Sequence, residues 1–92
     1  MSYELFIDGQ ISGEIGTNSG FHKMARFCET RGKEMKAFFE DGESKNPVGL
    51  RDELQGLLNG NDTPEADVRE TVKLLITRLG GVTEGKVTAS NG

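Results

Sequence analysis

Apolar residues recur at every second position near the start of the chain, and this period predicts a β-hairpin. Residues 3–7 alternate between inward and outward positions, and residues 11–15 resume the alternation. The Asp8-Gly9 dipeptide between them is typical of tight hairpin turns. We therefore expect two antiparallel strands that are joined at this dipeptide.

The register of the hairpin depends on the length of its turn. A two-residue turn at Asp8-Gly9 pairs Ile7 with Gln10 and sets an apolar row beside a polar row. A three-residue turn that starts at Ile7 pairs Leu5 with Ile11 on one face. We favour the second register, because a small sheet is expected to bury one face.

Residues 16–20 form a small polar connection that leads into a helical pattern. Asn18 or Ser19 offers a side chain that can cap the helix. Six apolar side chains then fall on one helical stripe, namely Phe21, Met24, Cys28, Met35, Phe38 and Phe39.

Glycine interrupts this stripe near its middle. Arg31-Gly32 is typical of a helix C-cap, so we predict a break or kink there within a helical segment that ends at about Asp41. In the alternative interpretation, residues 35–40 form a strand that leads into an Asp41-Gly42 turn.

Two further helices have clear start and stop signals. Asn46-Pro47 supplies an N-cap and a first-turn proline, and Asn59-Gly60 ends the third helix. The fourth helix is predicted over residues 63–79 and ends at Gly80-Gly81. The apolar faces of the two helices are formed by Leu50, Leu54, Leu57 and Leu58 in the first and by Val68, Val72, Leu75, Ile76 and Leu79 in the second.

The last part of the chain predicts one more strand. Residues 82–89 are extended in character, and residues 86–88 are its centre. A hairpin alone is marginally stable in water, so we expect this strand to join it in a three-stranded sheet. The predicted fold is α+β, a single small domain over residues 1–92. It has an N-terminal β-hairpin, three to four helices and a C-terminal strand that completes a small antiparallel sheet. Residues 1–2 and 90–92 are expected to fray.

Composition and charge restrict the class of protein. Leu, Ile, Val and Phe supply 22 of the 92 residues, which favours a folded chain. The net charge of −4 disfavours indiscriminate binding to nucleic acid or anionic membranes. No apolar run approaches the roughly 20 residues of a membrane span.

Cys28 is the single cysteine, and the first residues lack the pattern of a secretory leader. We therefore expect a cytoplasmic protein.

The sequence offers no convincing set of catalytic or metal-binding residues. The glycine-rich residues 12–20 lack the spacing and the lysine of phosphate-binding loops, and we interpret them as a flexible connection. His22 and Cys28 are too few for a structural zinc site. The carboxylates of residues 40–43 and of Asp52-Glu53 fall on solvated positions. We predict no catalytic, cofactor-binding or metal-binding residue, and we expect Cys28 to be a buried core thiol.

One basic face is a candidate contact for an anion or a nucleic acid. Lys23, Arg26 and Lys33 share the face opposite the apolar stripe if the helix is continuous. A solvated helix surface explains the same pattern.

Size, acidity and the missing catalytic sets favour a small non-enzymatic protein-interaction module, such as a subunit, adaptor or accessory protein. We expect a protein partner or self-association, and no membrane or metal. The first alternative is a nucleic-acid-associated protein that uses the basic face of residues 23–36. The second is a small ligand-binding protein or enzyme with a pocket between the hairpin and the first helix.

Overall fold

In the computed structural model, the chain is described over residues 2–28, 32–59 and 66–91, with residues 25–28 and 91 described in their backbone alone. These ranges form the predicted α+β fold, with four helices and with four strands where three were predicted. In chain order the elements are β1 (Ser2–Ile7), β2 (Gln10–Thr17), α1 (Asn18–Cys28), α2 (Lys33–Glu40), β3 (Glu43–Ser44), α3 (Pro47–Asn59), α4 (Ala66–Leu79) and β4 (Val87–Asn91).

The four strands form one antiparallel sheet in the order β2-β1-β4-β3. β4 pairs along β1 from Ile7 opposite Val87 to Tyr3 opposite Asn91. The C-terminal strand therefore completes the sheet of the hairpin, as predicted. β3 adds a short fourth strand, because Ser44 also pairs with Val87.

The residues for which we expect fraying lie in paired strands where they are described. Ser2 pairs with Thr17 of β2, and Ser90 pairs with Glu4 of β1. The fraying itself stays a prediction. Residues 1 and 92 lie outside the described part of the chain.

The hairpin adopts the two-residue turn, so the register that we favoured is wrong. Asp8 and Gly9 have φ angles of 53° and 83°, as in a type I′ turn. Ile7 pairs with Gln10, and Ile11 stands opposite Phe6 instead of Leu5. The twist of a type I′ turn matches that of the two strands, which favours the shorter loop.

Two β-bulges in β2 restore the burial of one face of the sheet. Ser12 and Ile15 are the additional residues, and each precedes a glycine of positive φ, 145° at Gly13 and 127° at Gly16. Glycine adopts such angles without the clash that a Cβ would cause. As a result, Ile15 is fully buried on the same side as Leu5.

Helix α1 follows β2 directly, so the polar connection predicted over residues 16–20 is wrong. Thr17 caps this helix, because its Oγ1 accepts a hydrogen bond of 3.1 Å from the N–H of Gly20. Asn18 and Ser19, the predicted caps, already belong to the helix.

Residues 33–40 form a helix separate from α1, which confirms the predicted break. Gly32 has an extended backbone, with φ −131° and ψ 163°, and it is the N-cap of α2 instead of a C-cap. Arg31 lies outside the described residues. The alternative strand over residues 35–40 is wrong. Met35, Phe38 and Phe39 keep their helical spacing, and all three are buried.

A side chain of α3 caps the start of α2. Glu53 accepts hydrogen bonds from the N–H groups of Glu34, at 3.1 Å, and Met35, at 2.9 Å. The carboxylate satisfies two amides that a helix start leaves unpaired, and it opposes the positive end of the helix dipole. A Cβ on Gly32 would collide with this carboxylate, so the close approach requires glycine.

The ends of α3 and α4 that the structure describes agree with the start and stop signals predicted from the sequence. Asn46 Oδ1 accepts a hydrogen bond of 3.0 Å from the N–H of Gly49, and α3 begins at the following proline. α4 ends before Gly80 and Gly81, and Gly81 has a φ of 82°. The predicted start of α4 at residues 63–65 lies outside the described residues.

A single core lies between the helices and one face of the sheet. Leu5 and Val87 point into it from neighbouring strands, and the predicted stripes of the helices supply most of the rest. Leu58 and Ile76 lie at its margin, partly buried. The side chain of Cys28 lies outside the described residues. The buried apolar residues are Leu5, Ile15, Phe21, Met24, Met35, Phe38, Phe39, Leu50, Leu54, Leu57, Val68, Val72, Leu75, Leu79 and Val87.

Replacing Leu75 by alanine tests the packing of α4. Leu75 is fully buried, so Leu75→Ala should lower the free energy of unfolding by about 2–5 kcal/mol through lost burial and a cavity. Urea denaturation measures the change. Thr77→Ala, at an exposed site of the same helix, should change stability by less than about 0.5 kcal/mol. An unchanged midpoint for Leu75→Ala would contradict the packing.

Replacing Glu53 by alanine tests the cap of α2. Glu53→Ala should cost about 1–3 kcal/mol, since two amides lose a charged acceptor. Asp52→Ala is the matched control, because Asp52 is the exposed neighbour on α3. Equal urea midpoints for the two variants would show that the cap contributes nothing.

Candidate interaction surface

One face of the sheet carries no helix among the described residues. Successive side chains of a strand point to opposite faces, so the neighbours of Leu5 and Val87 point away from the core. We call this surface the open face. By the register of the strands, its residues are Ser2, Glu4, Phe6, Ile11, Glu14, Thr17, Glu43, Thr88 and Ser90.

The centre of the open face is apolar. Ile11 is 62% exposed, more than any other large hydrophobic residue in the described part of the chain. Phe6 stands directly opposite it in the register and is half-buried. An aliphatic and an aromatic side chain together on an uncovered sheet are typical of a protein contact surface.

Carboxylates lie on two sides of this apolar pair. Glu4 and Glu14 stand directly opposite each other, one pair further along β1 and β2. Glu43 pairs with Thr88 on the other side of the sheet. The open face as defined contains no lysine or arginine. Like charges opposite each other destabilise a sheet, so Glu4 and Glu14 are an unfavourable pair within the isolated fold.

The free edges of the sheet are poor templates for an added strand. β3 has two residues, and β2 is distorted by its bulges at Ser12 and Ile15. Arg78 covers part of β2, since its Nε lies 3.4 Å from the carbonyl oxygen of Glu14. Bulges and a covering charge are devices that prevent edge pairing. The open face is therefore a better candidate for binding than either edge.

Close packing of α4 against the end of β2 and the start of α1 depends on two glycines. A Cβ at Gly16 or at Gly20 would collide with Oγ1 of Thr71. Thr71 is fully buried, and this hydroxyl has no hydrogen-bond partner among the described residues. The glycines that we interpreted as a flexible connection are thus contact points between secondary-structure elements.

A shallow pocket of about 350 Å³ lies beside this contact, between β2 and α4. Glu14, Asp67, Glu70 and Leu74 are among its lining residues. Asp67 is already hydrogen-bonded to other side chains. The hydroxyl of Thr71, which also lines the pocket, is enclosed. We interpret the pocket as a consequence of helix packing.

Asp67 joins the starts of α1 and α4. Lys23 Nζ donates a hydrogen bond of 2.9 Å to its Oδ2, and Ser19 Oγ donates one of 3.3 Å to the same oxygen. The hydrogen bond from Lys23 is the largest cause of a lowered pKa of Asp67. Desolvation opposes it, while the Lys23 charge, the N–H of Val68 and the hydroxyl of Ser19 act in the same direction. The folded protein therefore favours the ionised carboxyl.

The three basic residues predicted from the sequence are placed on two helices. Lys23 on α1 forms an ion pair with Asp67, and Lys33 is exposed at the start of α2. The side chain of Arg26 lies outside the described residues. The shared face required a continuous helix, and the extended backbone at Gly32 interrupts it.

The space between the hairpin and α1 is occupied by stacked aromatic rings. Tyr3 and Phe21 have ring centroids 3.9 Å apart and planes at 12°. This is the place where the second alternative function would require a ligand pocket. His22 is exposed beside them, with its ring edge-on to Tyr3 at 5.8 Å. Within the described residues, no three His, Cys, Asp or Glu side chains are grouped to hold a metal ion.

Comparisons of the chain with protein-family models, curated proteins and solved structures gave no match. None of the described helices combines the length and the apolar character that crossing a membrane requires.

Sequence reasoning placed Ile11 in the core and therefore missed that it belongs to the open face. A signal was present, since Asp8-Gly9 favours a two-residue turn, and that turn puts Ile11 opposite Phe6. The bulge at Ser12 has no comparable signal apart from the glycine that follows it.

The acid dependence of stability tests the role of Asp67. A lowered pKa in the folded state adds stability above the unfolded value, about 3.9, and this contribution is lost as the pH falls through the folded value. Asp67→Asn should therefore be less stable than the wild type near neutral pH, and the two should converge in acid. Urea titrations between about pH 7 and pH 2 measure the difference. Asp52→Asn is the control, and a gap that does not narrow in acid would contradict the role.

Proposed function

We propose that this chain is a small non-enzymatic protein-interaction module that binds its partner through the open face. One observation carries the proposal. The central strand presents Phe6 next to the 62% exposed Ile11 on a face that no described helix covers. Burial of such a pair in a contact is favourable by roughly 25 cal/mol per Å² of apolar surface.

The rest of the molecule supports an interaction surface over a catalytic site. The candidate groups for chemistry stay apart, with His22 exposed on α1 and the carboxylate of Glu53 used as a helix cap. The pocket beside α4 has an enclosed hydroxyl and an engaged carboxylate. By contrast, the open face combines exposed apolar surface with a polar rim, which is the usual composition of a protein contact.

Affinity purification with matched variants tests this proposal. Ile11→Thr keeps a β-branched side chain in the strand but removes apolar surface from the open face. We expect it to weaken capture of any protein that co-purifies at fixed stoichiometry by about tenfold. Val48→Thr, on a helix that packs against α2 and α4, likewise puts a hydroxyl in place of an alkyl group, but away from the sheet, and should preserve capture.

Both variants must unfold at urea midpoints close to that of the wild type. Equal capture by Ile11→Thr and Val48→Thr would contradict the use of the open face. A saturable small-molecule ligand together with no co-purifying protein would contradict the interaction module itself.

A further inference from the structure

We infer that the occupant of the open face is a basic amphipathic helix of another protein. This inference rests on the proposed function and names the chemistry of the partner. It depends on three features of the sheet: its hydrogen-bonded backbone, the position of its apolar pair and the charge of its rim.

The backbone of the sheet favours a helix over an added strand. β1 lies between β2 and β4, so its N–H and C=O groups bond within the sheet. A strand laid on this face would find no free ladder groups, whereas a helix satisfies its own backbone. A helix about 10 Å wide spans two strands that lie about 4.8 Å apart. Phe6 and Ile11 occupy two such strands.

The charges of the rim favour a cationic partner. Glu4 and Glu14 are directly opposed one pair away from Phe6 and Ile11. A lysine or arginine between these carboxylates would relieve their repulsion and convert an unfavourable pair into a binding feature. Lys86, which precedes β4, lies level with the Asp8 turn, on the order of 13 Å along the strand from Glu4. Arg78 reaches β2, but its Nε approaches the carbonyl oxygen of Glu14. Among the described residues, neither Glu4 nor Glu14 has an ion-pair partner.

The same carboxylates disfavour a second copy of this chain. Two copies can place the Phe6 and Ile11 pair on itself through a twofold axis that runs along the strands or across them. An axis along the strands between β1 and β2 stacks Glu4 on Glu14. Stacking carboxylate on carboxylate costs affinity. An axis across the strands brings Glu4 over the Asp8 turn, where the charges of Asp8 and Lys86 offset each other, so Glu4 gains no net attraction there.

A designed peptide provides the probe. It is a capped helix of about 18 residues made of leucine and lysine, with the leucines on one face. A second peptide with glutamate in place of lysine is its control. Each is titrated into the ¹⁵N-labelled full chain at low salt, and amide shifts map the contact. We expect the lysine peptide to shift the amide resonances of Phe6, Ile11, Thr88 and their neighbours. The glutamate peptide should leave these resonances unchanged.

Charge-matched variants separate a specific contact from general attraction to an acidic protein. The double variant Glu4→Gln/Glu14→Gln should weaken peptide binding about tenfold. It should also raise the urea midpoint, because the opposed charges are gone. Asp52→Asn/Glu70→Gln removes the same charge from exposed positions on α3 and α4. It should change affinity by less than about twofold.

Three outcomes would overturn the inference. Equal weakening by both double variants would show non-specific attraction, and amide shifts on the helices would place the contact elsewhere. A dimer in light scattering, together with changes in the amide resonances of Phe6 and Ile11 as the protein concentration is raised, would identify a second copy as the occupant. If the inference fails but Ile11→Thr still reduces partner capture, the proposed function stands.

Discussion

The pairing of β4 with β1 fixes the position of every other described element. It places Val87 beside Ile7 and Asn91 beside Tyr3, and Asp8 and Lys86 exchange further hydrogen bonds of 2.8 and 2.9 Å at its end. All four described helices lie between β2 and β4 in the sequence, so the chain leaves the sheet to form them and then returns. The short β3 is the one described strand within this stretch. The apolar sides of β1 and β4 face the helices together, and no described helix covers the opposite side.

Some helix ends and packing contacts depend on residues from other secondary-structure elements and not on the neighbouring sequence. The carboxylate of Glu53 reaches the start of α2 because Gly32 has no side chain in its way. In the same manner, Gly16 lets Thr71 approach the end of β2, and Gly20 lets it approach the start of α1. A domain of this size buries a modest core. Precise contacts of this kind therefore contribute a large share of what selects one well-ordered native structure.

Patterns with local causes were predictable from the sequence, and those with distant causes were not. The stripes of α3 and α4, the cap at Asn46 and the stop at Gly80-Gly81 depend on neighbouring residues and agree with the structure. The break before α2 was also predicted, but its cap comes from Glu53 on another helix, and no local pattern indicates that contact. Register was the main failure. We expected the sheet to bury one face, which is correct, and chose the three-residue turn for that reason. The two-residue turn also allows one buried face, because the bulges in β2 shift the register back.

The central position of β1 has a consequence for how the protein is made. β1 leaves the ribosome with β2, but its other neighbour is encoded some eighty positions later, as the pairing of Leu5 with Ala89 shows. Until that strand emerges, one long side of β1 has unsatisfied backbone groups, and contacts of such high sequence separation form slowly. The nascent chain therefore passes through a stage in which its central strand is still an edge. During this interval it is most exposed to pairing with other unfinished chains.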